Sequence, residues 1–400
     1  MSVSEQLLEI FKHGVSSVQP NNILDNFIKV KSKKIIVTEG SKQKIYSKIN
    51  RVFPVCIGKA SVDMAKKIKK IFKVSNFKIE KGILIVNKEN FSKVKGFKCF
   101  SSGHPIPNRN GLDASIFLEN YLGKLEKNDL VLIFISGGGS ALAPYPVDGI
   151  SLEEKIIINK ILLESGANIK EINIVRKHLS KLKGGNLVKI CNPAYVHSFI
   201  LSDVIGDDLS SIASGMTTYD NSTFRDVKKI LNKYKIWTKI PKNIKNHINN
   251  GKKKKELETP EKNNQIFRKT NNTLIGSNNL CLNNMKNLCK KYNINSKIWF
   301  KNIDGDVKKI SKKFSNNIKK IKYKTPVLLI SGGETTVKVN GKGKGGRNQE
   351  FALYFAIEMK KINPSKSFII LSAGTDGRDG PTNAAGGILN QGSLEKIKKK

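Results

Sequence analysis

Arginine is scarce in this chain. It occurs seven times, at positions 51, 109, 176, 225, 268, 347 and 378, although Lys and Arg together number 72 of the 400 residues. Acidic residues are also few, 32 in all, so the formal charge is +40. A charge this high ordinarily suggests nucleic acid or an anionic membrane surface. Bidentate base and phosphate contacts favour Arg, however, and a binding face would gather the charge in one place. Lysines spread over most of a chain that is also rich in Asn and Ile read instead as a compositional drift, which argues against a nucleic-acid partner. Cysteine is sparse too. Cys56, Cys99, Cys191, Cys281 and Cys289 are odd in number and widely spaced, with no C-x-x-C pair. They support neither a disulfide framework nor a zinc site and fit a reducing compartment. No apolar run approaches 18 residues, so no membrane span is expected. The first residues, with Glu5 and Glu9 in an amphipathic pattern, do not read as a signal peptide. A cytoplasmic protein is expected.

What is present is a repeated alternation. Short apolar runs (Val52–Ile57, Gly82–Val86, Leu130–Ile135, His197–Leu201, Pro326–Ile330, Ser367–Leu371) read as strands buried on both faces. Helix-length segments lie between them: Ala60–Phe72, Gly111–Leu122, Leu152–Leu163, Leu280–Tyr292 and Gln349–Met359. This alternation predicts an α/β fold with parallel sheets covered by helices. The Lys/Asn-rich stretch over residues 236–270 has few apolar residues and reads as a solvated connection or a basic interaction tail. It would separate a domain over residues 1–235 from a second over 271–400. Two strands also run into the same turn chemistry, Leu132–Gly138 as LIFISGG and Val327–Gly333 as VLLISGG. Convergence accounts for this echo as well as duplication does.

Ligands of open α/β sheets bind beyond the carboxyl ends of strands. Gly58 and Lys59 stand at one such turn, where an ammonium can meet a phosphate, or where Lys59 is one more surface lysine. Ser136-Gly-Gly-Gly-Ser140 permits close backbone approach to an anion, with Ser140 adding a hydroxyl, or is simply a tight turn. It is no Walker A loop, and Gly137-x-Gly139-x-x-Leu142 lacks the third small residue of a dinucleotide fingerprint. His104, in a loop stiffened by Pro105 and Pro107, is either a ligand or structural. Asp203 and Asp207 follow a buried strand and either hold Mg²⁺ or cap the following turn. Gly341-Lys-Gly-Lys-Gly-Gly-Arg-Asn-Gln-Glu350 opens a helix and reads as an anion site, with the scarce Arg347 facing a phosphoryl group. Thr375, Asp376 and Asp379 mark a last strand end suited to a polar ligand or a metal, though Asp-Gly turns explain part of it.

These segments carry a resemblance. Ile57-Gly-Lys-Ala60, Gly103-His-Pro105, Ser136-Gly-Gly-Gly-Ser-Ala141, Val175-Arg-Lys-His-Leu-Ser180 with Lys183-Gly-Gly185, Ser202-Asp-Val-Ile-Gly-Asp207, Ser331-Gly-Gly-Glu-Thr335, Gly345-Gly-Arg-Asn-Gln-Glu350 and Gly374-Thr-Asp-Gly377 with Asp379-Gly-Pro-Thr382 occur in this order. Together, over residues 5–390, they resemble the glycerate 2-kinase family with a C-terminal MOFRL domain. The resemblance implies an N-terminal doubly wound Rossmann-like sheet, a smaller C-terminal α/β domain and a site in the interdomain cleft. It implies transfer of the γ-phosphoryl of ATP to the 2-hydroxyl of D-glycerate with Mg²⁺. Lys59 and Arg347 would be the catalytic pair and Asp203 and Asp207 the metal ligands. Substrate and nucleotide would meet Gly58, His104, Ser136, Gly137, Gly138, Gly139, Ser140, Arg176, Lys183, Ser331, Gly332, Gly333, Glu334, Thr335, Asn348, Gln349, Glu350, Thr375, Asp376 and Asp379. The partners expected are these small molecules, with no nucleic acid, no membrane and a homodimer left open. Family members continue past the Gly-Pro-Thr segment further than Leu394–Lys400 does here, so a C-terminal truncation is the expectation. The alternatives are an NAD(P)H-dependent hydroxypyruvate reductase, against which the missing fingerprint argues, and a truncated, non-catalytic ligand-binding homologue.

Overall fold

The computed structural model describes residues 2–73, 75–321, 326–341 and 343–398. Lys342 of the expected anion loop lies outside them. The chain divides into two compact units, one of Pro20–Ser277 and one that joins Met1–Gln19 to Asn278–Lys400.

The larger unit begins with an antiparallel meander of β1 (Ile28–Lys31), β2 (Lys34–Glu39) and β3 (Lys42–Tyr46). A parallel sheet follows, made of β4 (Arg51–Ile57), β5 (Lys78–Ile79), β6 (Gly82–Asn87), β7 (Phe97–Ser102), β8 (Leu130–Ile135), β9 (Tyr195–Leu201) and β10 (Thr270–Gly276). Its order is β10-β9-β8-β4-β6-β7, with the short β5 beside the start of β4. The expected α/β class is therefore observed. Strand β8 shows why an unbroken apolar run was needed. Val131, Ile133 and Ile135 enter one core with the helices Arg109–Leu122 and Asn186–Cys191, while Leu130, Leu132 and Phe134 enter another with the helix Ser61–Phe72. The chain winds from β4 towards β7 on one side and towards β10 on the other, so the carboxyl ends of β4 and β8 flank the topological switch point.

Residues 236–270 correct the expected connection. They contain the helix Lys242–Gly251, whose Ile244 and Ile248 are fully buried with Phe224, Val227 and Leu231. Glu258 accepts hydrogen bonds from Phe224 N at 3.0 Å and meets His178 Nε2 at 3.0 Å. The lysines and asparagines of this stretch lie outside an apolar stripe of four isoleucines, Ile236, Ile240, Ile244 and Ile248, too thin to dominate its composition.

In the smaller unit, β11 (Ser296–Asp306) pairs in parallel with β12 (Leu328–Thr336), and β13 (Ile369–Ala373) pairs antiparallel with β14 (Gly386–Asn390). The boundary expected at 270 falls at 277/278, and the first helix, Val3–Ser17, belongs here and not to the unit that follows it in sequence. Gly14 is the reason: a Cβ there would lie 2.4 Å from Met285 Cγ, so a bare backbone lets Val3–Ser17 reach the helix Asn278–Lys291. Ile10 is buried in that contact with Cys281, Leu282 and Met285. A second core joins Val307 and Phe314 to Phe351, Phe355 and Met359 of the helix Arg347–Ile362. No helix among the described residues is long and apolar enough to cross a membrane.

Candidate active site

The turns after β4 and β8 are stitched to each other at the switch point. Ser136 N donates to Ile57 O at 3.0 Å, Lys59 N to Gly137 O at 2.9 Å, and Ala60 N to Ser136 Oγ at 3.0 Å. This contact explains Gly58, which has φ +130 and whose Cβ would lie 2.2 Å from Ser136 Oγ. Ser136 is buried, and its hydroxyl oxygen is thereby engaged by the neighbouring turn. The Lys59 carbonyl is held in turn by Asn90 Nδ2 at 3.0 Å.

Three side chains surround the glycines. A Cβ on Gly138 would lie 2.9 Å from His104 Cδ2 and 3.4 Å from Lys59 Cγ, and one on Gly137 would lie 2.3 Å from Asp203 Oδ2. Gly138 also has φ +83, which an L side chain rarely adopts. Lys59, His104 and Asp203 thus converge on two residues of bare backbone. Burial and the nearby Lys59 ammonium push the His104 pKa below its usual value against the opposing pull of Glu89, so the imidazole is neutral at pH 7.

Behind the loop, Ser140 Oγ lies 3.0 Å from Ser214 Oγ, and Ser214 Oγ donates to Asn173 Oδ1 at 3.0 Å. Because the Ser214 proton goes to Asn173, Ser140 is the donor of the first bond. In this arrangement its hydroxyl hydrogen is directed inward, towards Ser214. Ala213, Ser214 and Gly215 all have positive φ, at 49°, 58° and 64°. Asn173 and Ser214 went unnoticed in sequence reading, where only the small-residue run Ser210-Ser-Ile-Ala-Ser-Gly215 could have signalled them.

Lys183 is buried and donates from Nζ to Ala143 O at 3.3 Å, at the end of the turn Gly139–Leu142. Burial, with the charge of Arg176 adding to it, pushes its pKa down to about 7. Arg176 Nε donates to Asn159 Oδ1 at 2.8 Å. Lys155, also missed, is buried beside them and donates to Leu179 O at 3.2 Å. Asp207 stands in a left-handed turn at φ 56°. The capping role belongs to its neighbour Asp208, whose carboxylate accepts from Ser210 N and from the hydroxyls of Ser210 and Ser211. Asp203 and Asp207 form no part of any group of three or more metal-ligating side chains among the described residues.

In the smaller unit the second Ser-Gly-Gly is different from the first. Ser331, Gly332, Gly333, Glu334 and Thr335 lie within β12, which continues to Thr336. Gly333, at φ +142, is there because a Cβ would lie 2.2 Å from Ile303 O, and Gly332 because one would lie 2.1 Å from Asn278 Oδ1. The glycines of the two segments thus serve unlike contacts. Ser331 Oγ accepts from Phe300 N at 3.3 Å. Arg347 is exposed and pairs with Glu334. Asn348 and Gln349 both donate to the Asp379 carboxylate, through backbone and side-chain nitrogens. Asp376 Oδ1 accepts from Arg378 N at 3.2 Å in the Asp-Gly turn, beside exposed Thr375, and Glu350 lies in the first turn of the Arg347 helix.

Comparison with known proteins agrees with this architecture. The family described as Domain of unknown function (DUF4147) matches residues 6–249, and the MOFRL family matches residues 327–400. The chain is 36% identical to the glycerate 2-kinase of Pyrococcus horikoshii, covering all of this chain and 88% of that protein. It is 39% identical to the D-glycerate 2-kinase of Thermotoga maritima over 88% of this chain and 81% of the other. A crystal structure of glycerate kinase from Thermotoga maritima superposes with a TM-score of 0.82 at 34% identity, covering 99% of this chain and 89% of that one. With both family domains in order and relatives matched over most of their length, the chain belongs to the glycerate 2-kinase family.

Proposed function

We propose that the protein transfers the γ-phosphoryl of ATP to the 2-hydroxyl of D-glycerate, giving 2-phosphoglycerate and ADP. The convergence of Lys59, His104 and Asp203 on Gly137 and Gly138 at the switch point carries this reading. Phosphoryl transfer asks mainly for positioning and neutralisation of charge. Lys59 supplies positive charge where bare glycine backbone leaves room for phosphate oxygens. The new bond joins the substrate O2 to the γ-phosphorus as the bond to the β-phosphate oxygen breaks, and the hydroxyl proton leaves. His104, neutral beside Lys59, is able to take that proton. Mg²⁺ suits a strand end with one or two carboxylates, because phosphate oxygens and water complete its shell. Asp203 and Asp207 would hold it, and when bound it would neutralise phosphate charge. Arg347 is assigned a catalytic role on its motif.

The test pairs two assays on the whole protein, ATP with D-glycerate and NADH with hydroxypyruvate, and identifies the product by phosphorus NMR. Lys59→Ala and Arg347→Ala are each expected to lower kcat at least about 100-fold. Consumption of NADH without turnover of ATP would overturn the reaction. Full kinase activity in both variants would overturn the residue assignment.

A further inference from the structure

The helix Arg347–Ile362 starts after Gly346, which offers no side chain to cap it. The first N–H groups of such a helix need a partner, and the partial positive charge there favours an anion. Asp379 fills that place. Its Oδ1 accepts from Asn348 N at 3.0 Å and Asn348 Nδ2 at 3.1 Å, and its Oδ2 from Gln349 N at 2.8 Å and Gln349 Nε2 at 3.1 Å. Only 2% of the residue is exposed. The outer ends of the network are tied as well, Ser372 Oγ to Asn348 Oδ1 at 3.0 Å and Gln349 Nε2 to Thr382 Oγ1 at 3.1 Å. The glycines of both segments serve their close approach. A Cβ on Gly346 would lie 2.2 Å from Asp379 Cγ, and one on Gly380 would lie 2.1 Å from Gly345 O. Burial pushes the Asp379 carboxyl pKa up, but the donors from Asn348 and Gln349 outweigh it and hold the group below its usual value, ionised at neutral pH.

We propose that Asp379 is a positioning residue: its carboxylate occupies the helix end in the place an anionic ligand would take, and so fixes the turn that carries Arg347. Two glycine-rich motifs that look like separate ligand loops are then one internal scaffold. The helix end is closed to phosphate, and the Arg347 guanidinium, paired with Glu334 on β12, is the group this turn presents outward. The effect on catalysis rests on the kinase reading above, whereas the occupancy of the helix end does not.

Asp379→Ala and Asp379→Asn in the full chain test both halves. Assayed well below the Tm of each variant, Asp379→Ala is expected to lose about 100-fold in kcat, the scale of an ångström-sized misplacement. Its KM for ATP and for glycerate should stay within about threefold, since Asp379 is buried with its carboxylate held by Asn348 and Gln349. Added formate should restore part of kcat, and inorganic phosphate should raise the Tm of Asp379→Ala more than that of the wild type. Asp379→Asn keeps one acceptor oxygen and is expected to fall between. A folded Ala or Asn variant with wild-type kcat overturns the positioning role, and the Asn variant decides it should the Ala variant not fold. Equal phosphate shifts in Asp379→Ala and wild type overturn the occupancy. A wild-type protein that transfers no phosphoryl group sinks the kinase reading instead, and the phosphate-dependent Tm still judges the helix end.

Discussion

Gly137 and Asp203 meet in such close contact that a Cβ on the glycine would lie 2.3 Å from a carboxylate oxygen. Gly137→Ala must therefore move either the loop or the carboxylate. Since this is an exposed carboxylate and not a core side chain, the expected loss is in activity: about 100-fold in kcat/KM for phosphoryl transfer, with little change in Tm. Steady-state kinetics beside a thermal melt check it, and a variant with a lowered Tm and unchanged kcat/KM would refute it.

Lys183 predicts a pH dependence of stability. Its pKa falls from 10.5 in the unfolded chain to about 7 in the folded protein through burial and Arg176. Between these values the unfolded state binds the extra proton, so this group makes the folded state more stable as pH rises from 7 towards 10.5. Lys183→Met removes that slope. Urea unfolding at pH 7 and pH 9 should show wild-type stability gaining on the variant by roughly 2 kcal/mol over that interval.

His197 predicts a loss in acid. It is enclosed between Tyr46 OH at 2.8 Å and Thr273 Oγ1 at 3.0 Å, and burial, with Lys44 adding to it, lowers its pKa from 6.5 to about 4. Its contribution is complete above pH 6.5 and is lost as pH falls towards 4, up to about 3 kcal/mol. His197→Gln should lose less stability than the wild type between pH 7 and pH 4.5 in denaturant titrations.

Ile248 tests the integration of residues 236–270. As a fully buried side chain of the core built around Phe224, its replacement by Ala should cost about 3 kcal/mol in urea unfolding. A cost below about 0.5 kcal/mol, the range of exposed positions, would mean that the stretch is a connection after all.

How much of this was legible depended on how strongly each segment announced its burial. Strands β4, β6 and β8 are apolar without interruption because both faces are covered, and their limits could be read almost to the residue. The helix Lys242–Gly251 hides the same physics, since Ile244 and Ile248 lie four apart in a field of Lys and Asn. Glycine was the harder signal. At Gly137 and Gly138 it leaves room beside Lys59, His104 and Asp203, whereas at Gly333 and Gly346 it admits the protein's own Ile303 and Asp379. A sequence names the missing side chain and not what takes its place. The polar partners Asn173, Ser214 and Asp379 belong to contacts between distant segments, which no local pattern announces.

The placement of Val3–Ser17 has a consequence for how the chain is made. This helix is synthesised well before the surface that buries Ile10 and accommodates Gly14, which comes from Asn278–Lys291. All of Pro20–Ser277 must be synthesised in between. During that interval an amphipathic helix waits without its mate while the larger unit is free to fold. The smaller unit is consequently completed after the larger one, and a fragment beginning at Asn278 would expose the apolar groove in which Ile10 belongs. Its solubility would depend on supplying the first seventeen residues as a separate peptide.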